Sequence, residues 1–240
     1  MNAPTRSKVE DITSILRDEV LRGQYRPGER LPSERDLAAR FESNRGGIRE
    51  ALKKLEQLGI ATITPGGVRV VPIEEASLSV LGPLVDLQDP PDLALVSHLL
   101  EVLGALLSMA ARAAIERASP EELDEMQRIV QELIRNVDDS DQQHQGWREL
   151  GTLFSQVSNN LVLRLILNGL KAQITNRLEA RRPTEDDFDY PKREATLNQL
   201  SQGLAVRDAN CVAATIQEHF DRINTKVQAR LNADRSIVNE

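Results

Sequence analysis

Arg45, Arg49 and Lys53 recur at i, i+4 and i+8 in a segment whose apolar residues, Ile48, Leu52, Leu55 and Leu58, keep helical spacing on another face. An arginine on the first turns of such a helix can present its planar fork to guanine O6 and N7, and one bidentate pair of this kind is worth about 1–3 kcal/mol of base discrimination. The bare amides near Asn44 to Gly47 also suit a phosphate, as helix N-termini do. The chemistry on offer is recognition of a polyanion. Two arginines in isolation could equally do no more than solvate a helix face, so the elements around them decide.

Three helices and a hairpin surround them. Val9, Ile12, Leu16 and Val20 recur at helical spacing from Val9 to Leu21, and Gly23 supplies a stop. Tyr25-Arg26-Pro27-Gly28 has turn chemistry; Ser33 is an expected N-cap with Asp36 three residues on in place of the usual Glu, and a short second helix runs through Phe41. Ser43 is expected to cap the third helix and Gly59 to end it. The period then becomes strand-like over Ile60 to Ile63 and Val68 to Val71, around a Pro65-Gly66-Gly67 turn. Three helices and a hairpin in about 70 residues fit the winged helix-turn-helix plan.

A stretch without strong periodicity, residues 73–85, reads as a linker. Helical segments follow at 93–117, 121–137, 141–157, 160–180, 190–206 and 208–232. In the first of these Leu99, Val102, Leu106 and Met109 form the expected apolar stripe, and Ser119-Pro120 opens the second with a cap and a first-turn proline. The fold class is therefore mainly α: an N-terminal winged helix-turn-helix, residues 1–72, and a C-terminal antiparallel α-helical bundle, residues 86–240.

Composition is that of a globular chain, 40% hydrophobic and 28% charged over 240 residues. The net charge of −7 is unevenly spread: residues 1–72 hold 13 Lys/Arg against 10 Asp/Glu, the remainder 17 against 27. The first third can approach a polyanion without strong self-repulsion. Apolar runs are broken by polar residues short of a membrane span and the polar start has no signal core, so a cytoplasmic location and no membrane partner are expected. The lone Cys211 is expected to be a buried thiol. There is no Glu-x-x-His pair, no Walker-type phosphate loop and no nucleophile elbow, which argues against an enzyme.

The stretch from Tyr25 through Ala38, with Asn44-Arg45 and Ile48-Arg49-Glu50-Ala51-Leu52, closely resembles the DNA-binding domain of GntR-family regulators over residues 7–71. The helical remainder looks like the effector domain of the FadR-like branch, through Ala110 to Ser119, Ser158-Asn159-Asn160, Leu165 to Leu170, and Asp208 with His219 eleven residues later. The resemblance implies that Arg35, Asn44, Arg45 and Arg49 contact DNA, with Gly66 at the wing tip. Gly46 belongs to the same DNA-facing turn, but Gly46-Gly47 depart from the hydroxyl-bearing or proline residues usual there. Operator preferences of relatives therefore do not transfer.

Many effector domains of that branch carry a metal pocket of one aspartate and three histidines, with an arginine aimed at a carboxylate ligand. By the same resemblance those positions fall at Trp147, Gly151, Leu197 and His219, and the arginine at Leu103. One histidine among Leu, Trp and Gly cannot assemble a metal ligand set, so no metal and no other cofactor is expected. His98 and His144 do not restore it. Two accounts of this pocket stand open. Leu103, Trp147, Gly151, Leu197 and His219 line an apolar cavity for a hydrophobic or acyl-type effector, or the same side chains close-pack and nothing binds. The resemblance further implies a homodimer on a pseudo-palindromic double-stranded DNA operator, with repression as the outcome. A winged helix that serves as a protein-interaction scaffold is the alternative.

Overall fold

In the computed structural model, which describes residues 7–88, 92–179 and 190–238, contacts divide the chain chiefly into two units, 1–91 and 92–240. In the first, α1 (Lys8–Leu21) opens on a reciprocal cap: the Ser7 hydroxyl accepts from the Glu10 amide and the Glu10 carboxylate accepts from the Ser7 amide. α2 (Glu34–Arg40) starts at Ser33, as expected. The Asp36 side chain is too short to reach the Ser33 amide in the manner of a Glu and instead accepts from the Ser33 hydroxyl at 2.6 Å. That bond, with Arg35 nearby, holds the Asp36 carboxyl below its ordinary pKa.

α3 (Arg45–Gln57) begins one residue later than expected. Asn44, in extended conformation, is the cap: its Oδ1 accepts from the Gly47 amide at 2.8 Å, while Ile48 N donates to its main-chain carbonyl. Ser43 lies outside the helix.

Ile12, Leu16, Leu37, Ile48, Leu52 and Leu55 meet at the centre of this unit. β1 (Ala61–Thr64) and β2 (Gly67–Val70) pair antiparallel, Ala61 opposite Val70 and Thr64 opposite Gly67, leaving Pro65-Gly66 as a two-residue connection. Val68 and Val70 point into the core while Arg69 between them faces out, as a period of two requires. A third strand-like edge joins the hairpin. Leu31 N donates to Val68 O, Val70 N to Glu29 O and Gly28 N to Val70 O, and Arg30 bridges Arg69.

Residues 73–85 are not a bare linker. Single 3₁₀ turns at Ile73–Glu75 and Leu78–Val80 lead into α4 (Leu81–Asp86), and Val80 is buried in the N-terminal core with Ala76 and Leu84 against it. Two isolated turns, of which only the second sends a residue, Val80, inward, leave no periodicity to read. Gly59 makes the approach possible: its φ of +74° suits glycine, and a Cβ there would stand 2.9 Å from the Ser77 amide nitrogen.

The second unit is helical: α5 (Leu93–Arg117), α6 (Pro120–Arg135), α7 (Ser140–Val157), α8 (Leu161–Glu179), α9 (Tyr190–Ala205) and α10 (Ala209–Val238). Residue 180, the last of the expected 160–180 segment, lies outside the described residues. Ser119 and Glu122 form a reciprocal cap around Pro120. The core joins Ala110, Ala114 and Ile115 of α5 to Met126 and Leu133 of α6, Leu150 and Phe154 of α7, Leu167 of α8, Leu197 and Leu200 of α9, and Val212 and Ile216 of α10.

The buried face of α5 differs from the expected stripe. Val102 and Met109 are about half exposed, and the inward face runs instead through Val96, Leu99, Leu100, Gly104, Ala110, Ala111, Ala114 and Ile115. Small residues let α10 approach closely: a Cβ on Gly104 would lie 2.7 Å from that of Phe220. By length and composition α5 is also apolar enough to cross a membrane, contrary to the reading of its broken apolar runs; here it packs as a helix of the core. Cys211 is half-buried rather than buried.

Candidate nucleic-acid interface

Contacts within the N-terminal unit place α3 and its neighbour α2. Ile48, Ala51, Leu52 and Leu55 anchor the inner face of α3, Asn44 closes its first turn, and Glu19 of α1 holds Arg40 at the end of α2 through a two-pronged ion pair. The outer face then carries Arg45, Gly46, Arg49 and Lys53, all exposed. Arg35 is exposed on α2 with only a loose contact to Asp36, 3.6 Å away. The residues expected to contact DNA thus stand on the surface of the same unit, with Gly66 exposed at the connection of the wing.

Two details of this surface escape sequence reasoning. Glu34, the first residue of α2, accepts from Arg49 Nε with both carboxylate oxygens, at 2.9 and 2.8 Å. Among the described residues Arg49 has no other hydrogen-bond partner, so its terminal nitrogens remain available for a base edge. Glu34 and Arg49 lie on different helices and no periodic template relates them; the only signal is their opposite charge. The second detail is Arg30, whose guanidinium lies across the wing connection, close to where side chains on Gly66 and Gly67 would be.

Asn44 is brought to this surface but already has work there, since its carbonyl oxygen caps α3 and only its amide group is left to donate. Gly46 and Gly47 sit in the first helical turn, where the helix penalty of glycine is reduced. A Cβ at 46 would lie 3.2 Å from Asn44 Oδ1 and so press on the cap, whereas one at 47 would press on Ser43 Oγ, 3.1 Å away, and only touch Asn44 Oδ1 at an ordinary 3.6 Å.

In the helical unit the residues expected to line an effector pocket do come together, by packing. The Trp147 ring stacks on His219 with centroids 3.8 Å apart and planes 19° from parallel, and Phe220 meets His219 edge-on at 5.5 Å. Leu107 covers Gly151, its nearest methyl 3.3 Å from where a Cβ would be. Leu197 is fully buried, and Leu103 is partly buried against the same core. Burial, with the Arg222 and Arg193 guanidinium groups and His144 as further contributions, pushes the His219 imidazole down to about 3. A neutral ring stacked on indole, with leucine and glycine at the neighbouring positions, does not fit a metal. Among the described residues no group of three His, Cys, Asp or Glu is arranged to hold one. A surface hollow of about 510 Å³ lies elsewhere, between α6 and α7 near Glu125, Arg148 and Thr152.

Comparison with known proteins agrees with this architecture. Residues 8–71 match the family described as "Bacterial regulatory proteins, gntR family", and residues 98–222 match the FCD domain. The chain is 27% identical over 236 residues to the HTH-type transcriptional regulator Mce2R of Mycobacterium tuberculosis, covering 96% of each. It is 23% identical over 224 residues to the HTH-type transcriptional repressor NanR of Citrobacter rodentium, covering 90% of this chain and 83% of that one. The solved structure of Lar, described as controlling expression of the Listeria monocytogenes agr system, shares the fold with a TM-score of 0.58 at 16% identity, covering 95% of this chain and 99% of that one. A winged helix with exposed arginines on α3 is thus followed by a helical domain of matching type, and the chain belongs to the gntR family of bacterial regulatory proteins, as a transcriptional regulator joining a DNA-binding helix-turn-helix to an FCD effector-binding domain.

Proposed function

We propose that this regulator is a cytoplasmic repressor that binds a pseudo-palindromic operator as a homodimer, with residues 1–72 reading DNA and 86–240 serving dimerisation and effector binding. The observation that carries the DNA reading is the outer face of α3, where Arg45 and Arg49 are exposed and Arg49 is held at Nε alone. Arg35, Asn44, Gly46 and Gly66 complete the contact surface. Phosphate contacts set the register and the α3 arginines specify bases. Dimerisation is supported by apolar side chains left exposed on the helical unit, among them Leu161, Val162 and Leu165 of α8. Two heads related by a two-fold axis read two half-sites with an affinity one head lacks. Repression needs no contact beyond occupancy of a promoter, and the similar NanR carries that function in its name.

The effector reading is a hydrophobic or acyl-type molecule that enters among Leu103, Trp147, Gly151, Leu197 and His219 and separates the stacked rings. It must bind less well to the DNA-bound conformation if it is to release the operator. Trp147 is the single tryptophan of the chain, so its emission reports ring separation directly.

The deciding experiment selects duplexes from a random library with the purified chain and repeats the selection with Arg49→Ala, while sedimentation gives the mass of the complex. A short inverted repeat bound by a dimer, and lost with Arg49→Ala, is the expected result. No enrichment by a folded dimer at low salt would point instead to a winged helix that serves as a protein-interaction scaffold.

A further inference from the structure

Three arginines of the N-terminal unit are held by carboxylates of that unit, Arg17 by Asp18, Arg40 by Glu19 and Arg49 by Glu34, and a fourth, Arg35, loosely contacts Asp36. Arg30 is different. It is exposed, and among the described residues no carboxylate pairs with it. Its main chain is fixed on the edge of the wing by the bridge to Arg69 and by the Leu31–Val68 and Glu29–Val70 hydrogen bonds. Its side chain runs to the wing connection, where Nη2 lies only 2.6 Å from the position a Cβ on Gly66 would take, and Nε 3.8 Å from that of Gly67. From Ile60 to Val71 the sequence holds no Asp or Glu, and the one other cation there, Arg69, donates to the Gly28 carbonyl at 2.7 Å.

Gly66 is not in the left-handed region of backbone space, so its main chain does not call for glycine. What the absent side chain provides is room. A guanidinium seated across a bare two-residue connection puts a full positive charge at the tip of the wing, with donors free for non-bridging phosphate oxygens.

We propose that Arg30 is the phosphate-binding cation of the wing, and that Gly66 serves DNA binding by leaving Arg30 its seat. This rests on the DNA-binding reading above. It separates the wing from α3 in function: Arg30 adds affinity that is indifferent to base sequence, whereas Arg45 and Arg49 add discrimination.

The test uses the full chain and its Arg30→Ala, Arg30→Lys, Gly66→Ala and Arg30→Ala/Gly66→Ala variants. Binding to the library-selected duplex and to an unrelated duplex of equal length is followed by fluorescence anisotropy across a salt series. Arg30→Ala is expected to weaken both duplexes by the same factor and to reduce the slope of log K against log salt by about 1, while Arg30→Lys keeps the slope. Gly66→Ala is expected to weaken binding in the wild-type background and to add nothing once Arg30 is alanine. An unchanged salt slope in Arg30→Ala, or full additivity of the two substitutions, overturns the inference. Arg30→Gln repeats the slope measurement if melting shows that the alanine variant does not fold. Binding of neither duplex by the wild-type chain would remove the DNA-binding reading itself, an outcome separate from an unchanged slope.

Discussion

The residues singled out for chemistry in the N-terminal unit stand in solvent, and those singled out in the helical unit have packed against one another. Arg35, Arg45 and Arg49 are exposed and held by few or no contacts, whereas Trp147 lies flat on His219, Leu107 covers Gly151 and Leu197 has no exposed surface. The physical reason lies in what each set must meet. Charged groups awaiting a solvated polyanion lose little by staying hydrated, but apolar groups without a ligand gain by closing over the space they line. The same kind of resemblance therefore translates into an accessible surface in one unit and a filled core in the other.

The largest effect that would break this contrast lies in the core. Leu197→Ala is expected to destabilise the chain by about 2–5 kcal/mol, as deletion of a packed leucine does, whereas a pocket already open would yield a much smaller loss in a denaturant titration. Arg45→Ala is the complement. It should leave the melting temperature unchanged while reducing affinity for the selected duplex relative to an unrelated one by roughly 5- to 150-fold.

Those two outcomes depend on features of unequal legibility. The starts of the helices in the second unit follow from spacing and caps to within a residue, and Ser119-Pro120-Glu122 marks the start of α6 in the residues themselves, whereas α10, expected to end at 232, runs on to Val238. The cap of α3 is a different matter, because Ser43 and Asn44 are both competent and only the backbone conformation selects Asn44. The inward face of α5 is hard to read because the helix is apolar nearly all round, and it is set by where Gly104 and the alanines admit α10. The exposed arginines are legible from their spacing. The pairing of Glu34 with Arg49 is not, since it needs α2 and α3 to be placed in space first.

Acid should sharpen the contrast further. His219 is neutral in the folded chain with a pKa of about 3, against about 6.5 when unfolded, so the unfolded chain binds the extra proton between those values. The stabilisation from keeping the ring neutral is complete above pH 6.5 and is lost progressively as pH falls. Between pH 7 and pH 5 the wild type should lose about 1–2 kcal/mol more than His219→Phe in urea titrations, with a matching rise in Trp147 emission change. Equal pH slopes for the two chains would show that His219 is solvated and that the packed description is wrong.

Glu34→Gln is expected to give the smallest change and the most specific one. Loss of the negative charge should strengthen binding to an unrelated duplex, while release of Arg49 Nε weakens preference for the selected one, so the two affinities move in opposite directions. A uniform gain on both duplexes would reduce Glu34 to an electrostatic bystander.

The strand-like edge from Gly28 to Leu31 ends two residues before Ser33, the cap of α2. Wing and second helix therefore form one stiff linkage, and α2 in turn grips Arg49 through Glu34. A change in minor-groove width that tilts the wing would be carried along this linkage to a guanidinium in the neighbouring major groove. Shape readout and base readout would then be energetically coupled, and substitutions in operator positions that no side chain touches would alter which bases Arg49 prefers.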